Sequence, residues 1–207
     1  ALTAEDAERA RQTIAALSDI YPSRATVLIA DPSRDEPGQP GMDVHVDLLE
    51  QEASRGRPNI VFECLTVDVS TESERQLASI ASPLLVPDLP DFLWWAADTE
   101  EGGALFSELV DICDRLIVDS AISPITARAL HALHRFARAP RDRAALGDLA
   151  WARLTPWRRL TTQFFDVPAN LPILDLIDEA TLTYGNSPHQ WSGFSSALLF
   201  AGWLGSR

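Results

Sequence analysis

The chain has 207 residues, a length typical of one domain or of one domain with part of another. Hydrophobic residues make up 46% of it and charged residues 23%, which excludes an intrinsically disordered chain. The net charge of −13 argues against a general nucleic-acid binder and against attachment to anionic membranes, since both need a basic surplus. The chain contains no lysine, so Schiff-base chemistry and a P-loop lysine are excluded as well.

The compartment is predicted from the cysteines and from the apolar stretches. Two cysteines, Cys64 and Cys113, are too few for a disulfide framework, so we expect a reducing, cytoplasmic location. The most apolar stretch, residues 198–204, is far shorter than the roughly 20 residues that a membrane span needs. The chain begins without methionine or a signal segment, and we expect a trimmed, soluble chain with no membrane association.

The predicted elements alternate between helix and strand. In chain order they are a helix at 3–19, strands at 25–30, 44–49 and 59–69, a helix from 71, a strand at 92–96, a helix at 103–113, a strand at 116–118, helices from 123 and 155, a strand at 179–184 and a helix from 187. This alternation predicts an α/β fold: a mostly parallel (mixed) sheet with helices on both faces, followed by a C-terminal strand–helix segment. We expect an α/β domain at 1–168, with residues 169–207 as the start of a second, incomplete unit.

Local signals add detail to these elements. The strands at 44–49 and 59–69 are expected to pair as a hairpin. Thr71 and Glu74 match a capping box at a helix start. The run FLWWA at 92–96 is typical of a strand that is buried on both faces. Serine or threonine followed by proline at 123, 155 and 187 predicts capped helix starts.

A search for catalytic chemistry finds no constellation. The chain has no dinucleotide-binding glycine motif, no Walker A motif and no zinc-binding spacing, so we predict no catalytic residue, no cofactor and no metal. His131 and His134 are three residues apart, but arginines surround them and would repel a cation. Asp119 and Ser120 follow a buried strand, where open α/β sheets bind ligands, although a helix-entry turn is the alternative role. Cys64 and Cys113 are either buried inert thiols or a redox pair.

The one strong electrostatic signal lies between residues 123 and 159. This segment has eight arginines against two aspartates, a net charge of +6, so the rest of the chain carries −19. Arg128, Arg135 and Arg138 fall on one helix face together with His131. Such a stripe either steers an acidic partner towards the chain or compensates the acidic remainder internally. Tryptophans flank the same segment, and tryptophan is enriched at interface hot spots. The interface candidates are therefore Arg128, Arg135, Arg138, Trp151, Arg153, Trp157 and Arg158.

Five sequence blocks carry a family resemblance. They are YPSRATVLIA at 21–30, PLLVPDLPDFLWW at 83–95, RLIVDSA at 115–121, DLAWARLTPWRRLTTQFFD at 148–166 and SALLFAGWLGSR at 196–207. In content and order these blocks resemble the OpcA family, the glucose-6-phosphate dehydrogenase assembly proteins. The block at 148–166 is the most specific of the five.

The resemblance implies a non-enzymatic protein that binds glucose-6-phosphate dehydrogenase and promotes its active oligomer, as an allosteric activator in the pentose phosphate pathway. It implies no cofactor and no catalytic residue. The alternative from another class is a small binding protein or enzyme for a phosphorylated sugar, with Asp119 and Ser120 in its pocket.

Overall fold

The computed structural model of the chain describes residues 4–18, 20–21, 23–36, 41–51, 60–99, 102–123, 126–139, 144–185 and 193–206. The chain divides into two compact units. The first is Ala1–Asp91 with Glu101–Ile112, and the second is Phe92–Glu100 with Cys113–Arg207. Both units combine helices with strands, so the predicted α/β class is confirmed. The predicted domain boundary between residues 168 and 169 stays a prediction.

The first unit is built on a mixed three-stranded sheet. Its strands are β1 (Ala25–Ala30), β2 (Met42–Gln51) and β3 (Ile60–Val69), in the order β1-β3-β2. Strand β1 runs parallel to β3, whereas β2 runs antiparallel to it, with Val44 opposite Val67 and Val46 opposite Leu65. The predicted hairpin between the second and third strands is therefore confirmed.

One face of this sheet is covered by helix α1 (Ala4–Ser18). The buried residues Ala7, Val27, Ile29 and Cys64 form the core between helix and sheet. The apolar residues at helical spacing predict an inner face of Ala7, Ala10, Ile14 and Leu17. Ala7 and Ala10 are buried and Ile14 is partly buried against this core, whereas Leu17 near the end of the helix is 49% exposed.

Two short helices complete the first unit, and the predicted capping box at the start of the earlier one is wrong. A 3₁₀ turn at Thr71–Gln76 leads into α2 (Leu77–Ala81), and α3 (Gly103–Asp111) follows later in the chain. Ser70, rather than Thr71, stands before the first turn and makes no side-chain cap. The Thr71 amide instead donates to Asp35 Oδ1 (2.9 Å), and its hydroxyl donates to Asp35 Oδ2. A carboxylate 36 residues away thus replaces the local cap.

The second unit contains a parallel three-stranded sheet. Its strands are β4 (Phe92–Trp94), β5 (Arg115–Val118) and β6 (Ala145–Asp148), in that order. Its helices are α4 (Thr126–Ala137), α5 (Leu149–Arg153), α6 (Thr155–Phe165) and α7 (Gly193–Gly205). Leu116 and Val118 in the central strand are fully buried, as expected for a strand covered on both faces.

Three predictions for this unit need correction. The run at 92–96 is not buried on both faces, because β4 is an edge strand and Phe92 is 60% exposed. Residues 179–184 form no strand, since no described strand lies beside them to supply backbone hydrogen bonds. Helix α6 begins at Thr155 as predicted, but the Thr155 hydroxyl accepts a bond from Arg158 (3.0 Å) and does not cap the helix. The predicted helix start at Ser187 lies outside the described residues.

The distant cap gives a first testable prediction. Asp35→Ala removes the acceptor of two Thr71 donors and should lower the free energy of local unfolding at 71–81 by about 1 kcal/mol. Glu74→Ala should change it by less than about 0.5 kcal/mol, because Glu74 is not the cap. Hydrogen exchange of the 71–81 amides measures both variants. A larger effect for Glu74→Ala than for Asp35→Ala would show that Glu74 caps this helix start after all.

Candidate partner interface

The Asp148 carboxylate organises the C-terminal edge of the parallel sheet. Its Oδ1 accepts bonds from the backbone amides of Ser120 and Ala150, both at 3.0 Å, and its Oδ2 accepts one from the Ser120 hydroxyl at 2.7 Å. Asp148 is the last residue of β6 and the N-cap of α5. One side chain therefore joins the end of β5 to the start of α5.

Asp119 and Ser120, the two residues that the sugar-binding alternative places in a pocket, take part in this arrangement. Ser120 is 2% exposed, and its hydroxyl donates to Asp148. Asp119 Oδ1 accepts a bond from the Ala121 amide at 3.1 Å, which closes a turn, and forms an ion pair with Arg153 at 2.6 Å. Asp119 and Ser120 thus make internal contacts, and Arg153, an interface candidate, is tied to one of them.

Trp151 and Arg158 stack on each other. The Arg158 guanidinium carbon lies 3.6 Å from the centre of the Trp151 ring, a cation–π contact. The same guanidinium donates to the Trp151 carbonyl at 2.7 Å and to the Thr155 hydroxyl at 3.0 Å. These bonds fasten α6 to α5. The Trp157 side chain is 65% exposed, and no ring stacking joins it to another residue in the described part of the chain.

Helix α4 presents the predicted basic stripe to solvent. Arg128, His131 and Arg135 are exposed on the helix, and Arg138 is exposed just beyond its end. The opposite face is apolar, with Ala129 and Leu133 buried. Arg135 lies in the last turn, where a cation also favours the helix dipole. The structure thus places the arginines of the stripe on one solvent-facing surface.

The two cysteines are the redox candidates. Cys64 belongs to the first unit and Cys113 to the second, and both are free thiols. Burial raises the pKa of the Cys64 thiol, which disfavours the reactive thiolate. No three metal-ligating side chains cluster among the described residues. Likewise, no helix in the described part of the chain is long and apolar enough to cross a membrane.

Sequence reasoning missed Asp148 and strand β6. The strand has only four residues, ALGD, and its glycine hides the pattern. A signal was present nonetheless, because an aspartate directly before the apolar run LAWA is a typical helix N-cap. The buried role of Ser195 was also not predicted: the residue is fully buried, with its Oγ 3.1 Å from the Ser120 carbonyl and 3.2 Å from the Thr126 hydroxyl.

Comparison with known proteins identifies the family. Residues 14–135 match the family model of the glucose-6-phosphate dehydrogenase subunit N-terminal domain, and residues 144–207 match that of the C-terminal domain. The chain belongs to the OpcA family. The resemblance predicted from the sequence blocks is thereby confirmed.

Two cyanobacterial proteins show how similar this OpcA-family chain is to its relatives. The OxPP cycle protein OpcA of Nostoc punctiforme is 31% identical over 188 residues, which are 90% of this chain and 38% of that protein. The protein of the same name from Synechocystis is 31% identical over 148 residues, which are 72% of this chain and 30% of that protein. The chain thus spans about a third of the length of the curated relatives that it matches.

The two OpcA domain matches meet within a single sheet. Strands β4 and β5 lie in the N-terminal match, whereas β6 lies in the C-terminal one and pairs with β5. The Asp148 carboxylate bridges the same junction through Ser120. In this OpcA-family chain the two matched regions are therefore joined by strand pairing and not only by a linker.

Removing the bridging carboxylate should destabilise the second unit. Asp148→Ala leaves three donors without their acceptor and should cost about 2–4 kcal/mol of unfolding free energy. The matched control Asp175→Ala, at an exposed position, should cost less than about 0.5 kcal/mol.

Urea unfolding followed by tryptophan fluorescence makes this measurement, because all six tryptophans lie in the second unit. Equal midpoints for the two variants would show that Asp148 does not hold the junction.

Proposed function

We propose that this chain is part of a non-enzymatic subunit that binds glucose-6-phosphate dehydrogenase and promotes its active oligomer in the oxidative pentose phosphate pathway. The observation that carries the proposal is the match to both domains of the glucose-6-phosphate dehydrogenase subunit family, at 14–135 and 144–207. We also propose a cytoplasmic location, which the two free thiols support.

The chemistry of the described residues supports a binding role over a catalytic one. The polar groups at the end of the parallel sheet are engaged with other residues of the unit: the Ser120 hydroxyl donates to Asp148, and the Arg153 guanidinium donates to Asp119. Catalysis requires such groups to reach a substrate. The exposed groups nearby are arginines and aromatic rings, the residue types enriched at protein interfaces.

The distribution of charge supports an acidic contact surface on the partner. The second unit contains ten arginines and ten acidic residues, so the whole net charge of −13 lies in the first unit. The stripe on α4 is a local concentration of positive charge within a neutral unit. Charges of this kind at an interface mainly accelerate association and fix its orientation.

The direct test adds the purified chain to purified glucose-6-phosphate dehydrogenase. Sedimentation velocity reports the oligomer, and NADP reduction by glucose 6-phosphate reports activity. We expect co-sedimentation, a shift of the dehydrogenase to its larger oligomer and a higher rate, with no turnover by the chain alone. Independent sedimentation at micromolar concentrations of both proteins would contradict the proposal.

The basic stripe yields a kinetic prediction with a matched control. Arg135→Glu should slow association with the dehydrogenase about threefold at 10 mM salt, where the Debye length is about 30 Å, and much less at 150 mM, where it is about 8 Å. The control Arg75→Glu makes the same change of charge at an exposed position in the first unit, near the end of the 3₁₀ segment Thr71–Gln76. Stopped-flow association rates compare the two. If both variants behave alike, the stripe does not steer binding.

A further inference from the structure

Strand β2 leaves one backbone edge and one row of apolar side chains in solvent. It lies at the edge of the first sheet, with β3 on one side, and the described part of the chain places no strand on the other. At ten residues it is longer than most strands. Its apolar side chains alternate with polar ones and so share one face of the sheet. They are Met42 (40% exposed), Val44 (50%), Val46 (58%) and Leu48 (66%).

Two hydrogen bonds show which backbone groups of β2 face the open edge. The Gly41 carbonyl accepts a bond at 3.0 Å from the amide of Ser70, directly after β3. The Val44 amide instead donates to Asp43 Oδ1 at 3.0 Å. Ladder bonds alternate along an antiparallel strand, and the register of β2 with β3 is unbroken. The odd-numbered residues of β2 therefore bond to β3, and the even-numbered, apolar row carries the outward amides and carbonyls.

These outward groups identify an extended strand as the occupant of the edge. A strand completes a regular ladder of hydrogen bonds with such groups, as when a segment adds to the edge of a sheet. Strand β2 contains neither proline nor lysine, two residues that commonly block pairing at an edge. The backbone thus determines the kind of partner, and the side chains determine which strand fits.

The side chains of β2 are complementary to a second copy of β2. In a two-fold antiparallel pair, one central residue lies opposite its own copy. Only the registers centred on Val46 and on Asp47 pair nine residues of the strand, 42–50 and 43–51. The register centred on Val46 places Val44 opposite Leu48 and His45 opposite Asp47. The register centred on Asp47 places that carboxylate opposite its own copy, which like-charge repulsion disfavours.

The charges of β2 are also compensated in the Val46 register. Arg34 Nη2 lies 3.3 Å from Asp43 Oδ2, so this carboxylate has a cation within its own chain. Asp43 then faces the apolar Leu49 of the copy, and no two carboxylates of the strands lie directly opposite each other. Each copy carries −13, but at 150 mM salt charges are screened beyond about 8 Å, whereas paired strands lie about 4.8 Å apart. Salt therefore weakens the repulsion between the copies more than the contacts of the strand pair.

We propose that two copies of this chain pair through β2 as a two-fold dimer, with Val46 opposite its own copy. The two three-stranded sheets then form one continuous sheet. The Val44 amide exchanges its bond to Asp43 for one to the Leu48 carbonyl of the copy, and the apolar rows of both copies lie side by side on one face. This pairing involves the chain alone, so it goes beyond the proposed function and does not depend on it.

Sedimentation equilibrium at 150 mM salt tests the surface. Because a single strand pair is a small interface, we expect a wild-type dimer with a Kd in the micromolar range. Val46→Lys places two ammonium groups across the axis from each other and should weaken dimerisation about fivefold or more. The control Val61→Lys lies on the same face of the sheet, in β3, where Val61 is 52% exposed, and should change the Kd less than about twofold. Both variants should melt within about 2 °C of the wild-type chain.

Engineered cysteines test the register. Val46→Cys brings two thiols together at the axis, so mild oxidation with diamide should give a covalent dimer. Val44→Cys should not link to itself, because four residues along the strand, about 14 Å, separate it from its copy and a disulfide does not span that distance. A mixture of Val44→Cys with Leu48→Cys should link, because these positions lie opposite each other. The wild-type chain, with Cys64 and Cys113, gives the background.

Four results would overturn the dimer. The first is a wild-type chain that stays monomeric at about 500 µM, far above the expected Kd. The second is equal dimerisation of the wild-type chain and Val46→Lys, which would place the contact elsewhere. The third is self-linking of Val44→Cys as fast as that of Val46→Cys. The fourth is hydrogen-exchange protection of the Val46 and Leu48 amides that appears only when the dehydrogenase is added, because the edge would then pair with that protein.

Discussion

The second unit depends on one carboxylate at the edge of its parallel sheet. Asp148 accepts three hydrogen bonds, two from Ser120 and one from the first turn of α5. Because α5 begins at this residue, its direction is set where β6 ends, and Arg153 at the end of α5 then reaches Asp119 beside β5. The charge of Asp148 strengthens each bond, since bonds to an ionised acceptor are roughly twice as strong as neutral ones. The position of α6 follows from that of α5 through the Trp151–Arg158 stack.

Because the polar contacts around Asp148 and Arg158 fix α5 and α6, the second unit can leave apolar side chains of α6 exposed. The described bonds that hold α6 lie at its two ends, where Arg158 donates to the Trp151 carbonyl and Asn170 donates to the Phe164 carbonyl at 2.8 Å. The side chains of Trp157, Leu160 and Phe164 are each more than half exposed. Surfaces used for binding commonly cost some stability, because apolar groups left in water do not contribute to the core. The separation of a polar junction from an exposed apolar face allows each to be altered without loss of the other.

Much of the fold was predictable from the sequence, and what was missed depends on contacts between distant residues. Helical spacing predicted α1 and the exposed basic face of α4, and the hairpin of β2 and β3 followed from two β-rich runs. The capping box at Thr71 failed because Asp35, remote in sequence, offers a better acceptor. Strand β6 is too short to show a period, and the extended run at 179–184 lacks a neighbouring strand, so neither could be assigned locally. At the site, the aromatic and arginine residues were apparent from composition. Their division into positioning and outward-facing groups required the Arg158 stack and the Arg153–Asp119 pair.

Side-chain footprinting of the complex tests the central claim most directly. Hydroxyl radicals oxidise exposed tryptophan, phenylalanine and methionine, and mass spectrometry gives the rate at each residue with and without saturating glucose-6-phosphate dehydrogenase. Met42, the single methionine, is 40% exposed in the first unit and serves as an internal reference. The account predicts that oxidation of Trp157, an exposed interface candidate, slows markedly in the complex while that of Met42 does not change. Equal oxidation of Trp157 in the free and bound chain would contradict it.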